Sequence, residues 1–295
     1  MRAPLTLWIA AAATALVLAV LSAPYWISAF VYRPTALAPS APKACGLAGA
    51  RDVDIRSGVA DHLSGLWLPP GGPAAPVVLI AHGRSANLCT RVSIAARLRR
   101  DGFGVLLFDY RGYGRSSGRP SEAGLTEDSV SAYDWLRLQG IAARRIVALG
   151  QSLGDAPAAQ LSAVRPVAAL VLVSPFTSLP GAIADDLGLA LIERLPWTHN
   201  RFEVAESLAK LRVPVLFVVS RQDGLVPYAN SRRAARYARF PRWLAVDGLR
   251  HNGLLAASAR DGRLSRALAT LVPPGGLSPS AGVQEPGHSG SPPPP

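Results

Sequence analysis

The fold of this chain is decided by the stretch Ile146–Gly154, which reads IVALGQSLG. A short apolar run, typical of a strand, ends in a G-x-S-x-G motif, and an alanine-rich segment follows. This order is typical of a tight strand–turn–helix, in which small residues permit close backbone approach and a serine hydroxyl stays exposed. The helix N-terminus favours negative charge beside that hydroxyl. Ser152 is therefore the predicted nucleophile, and the rest of the chain has to supply a base, an acid and oxyanion donors.

Length and composition fit one α/β domain with appendages, because 295 residues with 49% hydrophobic content can bury a large core. The net charge of +12 comes mainly from scattered arginines. No basic run is interleaved with aromatic residues, so nucleic acid is not an expected partner. A solvated basic surface and attraction to anionic lipid headgroups both stay open. Cys45 and Cys89 lack metal-site spacing, so no metal is predicted, and they could pair in an oxidising compartment.

The N-terminal segment Pro4–Tyr32 contains no charged residue and is long enough to cross a bilayer. Aromatic side chains lie near its ends, where they favour the membrane interface. A cleaved signal peptide is the alternative, but Pro24 follows the candidate cleavage site at Ala23, and the apolar run is longer than a usual signal sequence. The sequence therefore predicts a single-pass anchor over residues 1–33, in a bacterial inner or cell membrane, with its orientation left open.

The rest of the chain divides by composition into a Pro/Ala linker (34–50), a domain (51–272) and a Pro/Gly/Ser-rich tail (273–295) too poor in apolar residues to fold. In the domain, two antiparallel strands precede apolar runs typical of strands buried on both faces, which alternate with helical patterns. The main predicted strands and helices are Arg51–Ile55, Leu66–Leu68, Val77–Ala81, Cys89–Arg100, Val105–Phe108, Leu125–Leu138, Ile146–Leu149, Val215–Ser220 and Trp243–Val246. This alternation predicts a mostly parallel sheet with helices on both faces.

A glycine-rich loop, Tyr110–Gly118, follows one of the predicted strands and invites comparison with a dinucleotide site. Its spacing is G-x-G-x-x-x-G, and Pro120 stands where a helix would have to begin. A dinucleotide fingerprint needs G-x-G-x-x-G leading directly into a helix. We therefore expect a structural loop here and no nucleotide cofactor.

A serine nucleophile needs a base, and the base needs an orienting acid. His251 follows the last predicted strand, and Asp223 follows the strand before it, at the edge where open α/β sheets place their sites. Asp247 is the alternative acid. The order Ser152, Asp223, His251 is the order expected for a nucleophile presented by this kind of turn. The predicted oxyanion donors are two backbone N–H groups, those of Leu153 and Arg84.

The chain resembles the α/β-hydrolases, specifically the membrane-anchored Bem46-like group that includes the alpha/beta hydrolase domain-containing proteins 13 and 17 of mammals. The segments that carry the resemblance are FDYRGYGRSSGRPSEAGL (Phe108–Leu125), GQSLG, SPFTSL (Ser174–Leu179) and LRVPVLFV (Leu211–Val218). It implies hydrolysis of a small-molecule acyl ester, thioester or lipid through an acyl-serine, with no cofactor. It also implies a short helical cap over residues 180–212. Residues that would help to shape the substrate cleft are Asp185, Asp186, Trp197 and Phe202.

Three residues depart from that family pattern. Asp155 stands where relatives usually have a second glycine, and a carboxylate there would oppose a nearby oxyanion. Pro157 would cost about 3 kcal/mol if it lay beyond the first turn of the helix. Arg250 precedes the base where relatives prefer glycine. Two alternatives therefore stay open beside the esterase: a binding protein of the same fold with little activity, and a serine peptidase of the prolyl type.

Overall fold

The computed structural model describes residues 8, 11, 12, 14, 15, 31–34, 45–58, 61–188, 190–194 and 200–273. Its described strands are β1 (Arg33–Pro34), β2 (Arg51–Ser57), β3 (Asp61–Leu68), β4 (Val77–Ala81), β5 (Ser85–Ala86), β6 (Gly104–Phe108), β7 (Ile146–Gln151), β8 (Ala169–Val173), β9 (Val215–Val219) and β10 (Pro241–Ala245). Its described helices in the domain are α1 (Val92–Arg100), α2 (Glu122–Leu138), α3 (Asp155–Val164), α4 (Leu179–Leu187), α5 (Val204–Lys210), α6 (Tyr228–Ala235), α7 (Leu254–Arg260) and α8 (Arg263–Leu271).

One sheet of eight strands organises the domain, in the order β10-β9-β8-β7-β4-β6-β3-β2. The pairs β2–β3 and β3–β6 are antiparallel, whereas the other neighbours in this sheet are parallel. The mostly parallel sheet predicted from the apolar runs is therefore confirmed. Because β7 lies at the centre, the residues that follow it emerge in the middle of the sheet's carboxyl edge.

The central strands β4, β6, β7, β8 and β9 are buried at every position because helices cover both faces of the sheet. In β4, for example, Val77, Leu79 and Ala81 belong to one core and Val78 and Ile80 to the other. Helices α2, α3, α5 and α6 contribute buried residues to the first core, and α1, α7 and α8 contribute to the second. The two cores fix the strands in register from both sides.

Helix boundaries differ from the predictions where polar caps decide them. Helix α2 begins three residues before the predicted Leu125, because the Ser121 hydroxyl accepts a 3.1 Å hydrogen bond from the Gly124 N–H. The predicted helix Cys89–Arg100 is divided into a 3₁₀ turn, Leu88–Arg91, and α1. The side chain of Asn87 caps that turn.

The predicted anchor, linker and tail lie largely outside the described residues. No helix among the residues described is both long and apolar enough to span a membrane. The last residues of the predicted anchor are described, and they pack on the domain: Val31 and Tyr32 are buried in its first core. Arg33 and Pro34 then form β1, which pairs in parallel with β5.

Cys45 and Cys89 form a disulfide, which resolves a pairing that the sequence left open. Their Cα atoms are 5.3 Å apart, and 44 positions separate them in the chain. Closing a loop of that length stabilises a fold by about 4 kcal/mol in the chain-entropy description. The bridge ties the segment before β2 to the turn that follows β5.

Candidate active site

The turn after β7 has the strained geometry predicted for a nucleophile. Ser152 has a φ of 56°, which a non-glycine residue adopts only where the surrounding structure enforces it. A Cβ on Gly150 would lie 2.5 Å from the Asp155 Cα, and one on Gly154 would lie 2.5 Å from the His82 carbonyl oxygen. Both glycines of the motif are thus required by close backbone approach. The turn leads through a 3₁₀ turn into α3.

The predicted base and acid are in direct contact. The His251 Nδ1 lies 2.8 Å from the Asp223 Oδ2, and both side chains are buried. The other oxygen, Oδ1, accepts hydrogen bonds of 3.0 Å from the N–H groups of Leu225 and Val226. With Oδ2 accepting from Nδ1–H, the imidazole is held in the tautomer that leaves Nε2 free to accept a proton.

Electrostatics keep Asp223 ionised. Burial alone would raise the pKa of Asp223, but hydrogen bonds from His251, Ser174 and Val226 outweigh it and hold the pKa below its usual value. The carboxylate is therefore charged at neutral pH, where it can stabilise a positive charge on His251.

Ser174 is a member of the site that sequence reasoning missed. Its Oγ donates a 2.6 Å hydrogen bond to the Asp223 Oδ2, the same oxygen that faces His251. Ser174 directly follows β8 and has a φ of 60°, so the backbone there is strained as it is at Ser152. The available signal was its position at the end of an apolar strand, next to the strand that precedes Asp223. The bond restricts the direction of the carboxylate that orients the imidazole.

A cavity of about 120 Å³ opens beside Ser152. The predicted oxyanion residues Leu153 and Arg84 line it together with Ser152. Its remaining walls are mainly apolar and come from Val31, Phe176, Leu179, Ala182, Ile183, Leu225 and Val226. Leu225 and Val226 also donate their backbone N–H groups to Asp223. The loop that carries the predicted acid therefore forms part of the wall of the cavity that contains Ser152.

The residues that were expected to shape the cleft from the cap do not lie together in the structure. Phe202 is fully buried and packs edge-on against Tyr32 with ring centroids 6.2 Å apart, so it belongs to the core and its predicted place in the cleft wall is wrong. Asp185 lies on α4 and forms an ion pair with Arg233 of α6, outside the cavity lining. Trp197 and the side chain of Asp186 lie outside the described part of the chain.

The alternative acid and the other histidines lie elsewhere. Asp247 is exposed and pairs with Arg221, at 3.5 Å, so it does not compete with Asp223 for the imidazole. His82 is fully buried, its Nδ1 donates to the Gly83 carbonyl at 2.8 Å, and burial lowers its pKa to about 3. It therefore stays neutral and has a structural role. His62 is exposed in β3, and His199 and His288 are not among the described residues.

Two of the three family departures are accommodated by the structure. The Asp155 side chain is fully buried, and its Oδ1 accepts a 3.0 Å hydrogen bond from the Val173 N–H. Burial raises the pKa of Asp155 well above its usual value, although the amides of Val173 and Ser152 act in the opposite direction. This favours the neutral acid, which does not oppose an oxyanion. Pro157 lies in the first turn of α3, where a helix tolerates proline. Arg250 is exposed.

Within the part of the chain that is described, no group of three or more His, Cys, Asp or Glu side chains is arranged to hold a metal ion.

The sheet order and the strained serine after the central strand together define the α/β-hydrolase fold. A sequence model for proteins of the alpha/beta hydrolase fold matches residues 76–203. The protein belongs to the α/β-hydrolase superfamily, as the sequence motifs predicted.

Two relatives place the chain more closely. An uncharacterized protein of Mycobacterium tuberculosis is 38% identical over 225 residues, which is 75% of this chain and 79% of the relative. Alpha/beta hydrolase domain-containing protein 17C of Xenopus tropicalis is 32% identical over 183 residues, covering 60% of this chain and 56% of the relative. Both similarities span the β7–α3 turn and support the ABHD-like family within the superfamily.

Solved structures show the same fold. An esterase of Pyrococcus furiosus superposes with a TM-score of 0.65 at 20% identity, covering 82% of this chain and 98% of the esterase. An α/β-hydrolase of Vibrio vulnificus superposes with a TM-score of 0.63 at 21% identity, covering 76% of this chain and 81% of that protein.

Proposed function

We propose that this protein is a membrane-anchored serine hydrolase that cleaves an acyl ester or thioester, including lipid-like ones, through an acyl-serine intermediate. The observation that carries the proposal is the buried contact of 2.8 Å between the His251 Nδ1 and the Asp223 Oδ2. This pair follows β9 and β10, at the carboxyl edge of the sheet from which the strained Ser152 also emerges. The esterase among the structural neighbours has the same fold.

In the proposed reaction, the His251 Nε2 accepts the proton of the Ser152 hydroxyl while the Oγ attacks the acyl carbon. The N–H groups of Leu153 and Arg84 stabilise the resulting oxyanion, and each such donor is typically worth about 3 kcal/mol. His251 then protonates the departing alcohol or thiol, which leaves the acyl-serine. A water molecule, deprotonated by His251, then attacks the acyl carbon. The bond between that carbon and the Ser152 Oγ breaks, His251 returns the proton to the Oγ, and the carboxylic acid is released.

The environment of Asp223 suits this role. Hydrogen bonds from Ser174 and from the Val226 N–H keep the carboxylate ionised and fixed, so that it stabilises the imidazolium formed when His251 takes the proton. The mainly apolar cavity wall favours the acyl chain of an ester over a charged or polar substituent.

The proposal is tested by labelling with a fluorophosphonate, which reacts with activated serines. We expect wild-type protein to be labelled, with the adduct on Ser152, and to hydrolyse short p-nitrophenyl esters but not a proline amide. Ser152→Ala should lose both the labelling and the ester hydrolysis, because the variant lacks the proposed nucleophile. Ser93→Ala, at an exposed serine of α1, is the matched control and should behave as wild type. Labelling that persists in Ser152→Ala would refute the assignment.

We also propose that the segment before Val31 anchors the protein in the inner or cell membrane and that the domain faces an oxidising compartment. Residues 31–33, which the predicted anchor included, pack on the domain instead. The uncharged stretch Pro4–Tyr32 and the Cys45–Cys89 disulfide support the proposal, since disulfides persist outside the reducing cytosol.

The location is tested on full-length protein in isolated membranes. We expect it to resist alkaline carbonate and to be extracted by detergent. Its cysteines should react with an alkylating agent only after reduction. Release by carbonate would contradict the anchor, and thiols that react without reduction would contradict the oxidising side.

A further inference from the structure

We propose that the segment Val31–Pro34 contributes to the active site. In this proposal the Arg33 backbone holds the oxyanion residue Arg84 in place, and the Val31 side chain limits the acyl chain that the cavity accepts. The inference rests on the proposed function, because it assigns roles within that same site.

The first observation concerns the loop after β4, which carries Arg84. The Arg84 carbonyl accepts two hydrogen bonds, one of 2.9 Å from the Arg33 N–H and one of 2.8 Å from the Tyr113 hydroxyl. These bonds fix the planar peptide unit that joins Arg84 to Ser85. The Arg84 N–H belongs to the preceding peptide unit, and only the φ and ψ rotations of Arg84 separate it from the unit that is fixed. An oxyanion donor is effective only when its direction is set before the reaction.

The same N-terminal segment also supports the residues that follow Arg84. Strand β5, which directly follows Arg84, pairs among the described strands with β1 alone, in the register Arg33 with Ser85 and Pro34 with Ala86. The disulfide to Cys89 holds the loop a few residues further along. The segment before β2 thus holds the oxyanion loop at two points, one non-covalent and one covalent.

The second observation concerns the cavity wall. Val31 is 2% exposed, and it lines the cavity that contains Ser152. Its neighbour Tyr32 is buried and donates a 2.6 Å hydrogen bond to the Asn200 Oδ1. This bond fixes the segment against Asn200, a few residues before α5, and so restricts the movement of the neighbouring Val31. A fixed apolar side chain at a cavity wall sets how much acyl chain fits.

The backbone role is tested with Arg33→Pro, which removes the N–H that bonds to Arg84. Arg33 already precedes Pro34, so its backbone is confined to the extended region that proline tolerates. We expect kcat for p-nitrophenyl acetate to fall about tenfold or more below that of Arg33→Ala, which keeps the N–H, with KM changed far less. Tyr113→Phe removes the other bond to the same carbonyl and should lower kcat in the same sense, which keeps the test valid if Arg33→Pro does not fold.

The specificity role is tested with p-nitrophenyl esters of increasing chain length. Val31→Ala should raise kcat/KM for long chains relative to acetate by about fivefold or more, and Val31→Phe should lower the same ratio, since one methylene is worth about tenfold in a tight pocket. Val164→Ala, at an exposed valine of α3, should leave the ratio unchanged.

The outcomes separate the two proposals. If wild type is neither labelled at Ser152 nor active, the proposed function fails and this inference fails with it. If wild type is active but the Val31 variants keep its chain-length profile and Arg33→Pro and Tyr113→Phe keep its kcat, the inference is overturned and the function stands.

Discussion

His251→Gln is expected to lower kcat/KM for a p-nitrophenyl ester by about 10⁴-fold or more, since the triad acts as a unit and loses most of its effect with one member. Glutamine can occupy the space and accept or donate a hydrogen bond to Asp223, but it cannot take the proton of Ser152. The side chain is nearly fully buried against the carboxylate, so the substitution removes the base without opening a large cavity. The measurement is steady-state hydrolysis beside thermal unfolding, which should show a folded protein.

The matched control is His62→Gln. His62 also lies beside a carboxylate, with its Nδ1 3.2 Å from the Asp54 Oδ2, but this pair is exposed on β3. We expect its activity to stay within about twofold of wild type, because exposed ion pairs contribute little. If the two variants lost activity equally, or if His251→Gln kept more than a tenth of it, His251 could not be the base.

Gly154→Ala is expected to lower the free energy of unfolding by more than about 3 kcal/mol, which for a domain of this size lowers Tm by roughly 6–12 °C. The added Cβ would lie 2.5 Å from the His82 carbonyl oxygen, which belongs to rigid backbone. To relieve this clash, α3 has to move away from the end of β4. That movement also displaces Ser152 and the loop that carries Arg84. Thermal and denaturant unfolding measure the stability, and fluorophosphonate labelling of the folded fraction measures the displacement.

Gly72→Ala is the control, because a Cβ at Gly72 meets no atom within 4 Å. Its Tm should stay at or slightly above that of wild type, since alanine reduces the entropy of the unfolded chain. A Gly154→Ala protein as stable as wild type would show that the turn after β7 is looser than its contacts indicate.

Local sequence patterns were enough to predict the strands, the type of sheet and the candidate site residues. The apolar runs of β4, β6, β7 and β9 identified strands buried on both faces, and the order of strands and helices then required a mostly parallel sheet. Side chains that follow such strands meet at one edge, so Ser152, Asp223 and His251 could be named as candidates without coordinates. Their catalytic roles stay predictions until the variants are measured.

Helix boundaries and cleft residues were less predictable. The start of α2 depends on a hydroxyl cap at Ser121, and the spacing of apolar residues gives no sign of this cap. Phe202 looked like a cleft residue by resemblance, yet its ring packs on Tyr32, a residue 170 positions earlier whose place in the core no local pattern indicates.

The sequence by itself determined the class of fold, the strand that presents the serine, and the set of residues able to act as base and acid. Only the tertiary structure decided that Ser174 bonds to Asp223, that burial favours a neutral Asp155, that Val31 lines the cavity beside Ser152, and that the Arg33 N–H bonds to the Arg84 carbonyl. The physical reason is that strand periodicity is written in neighbouring residues. A hydrogen bond between distant segments, or the desolvation of one carboxyl, depends on which surfaces the folded chain brings together.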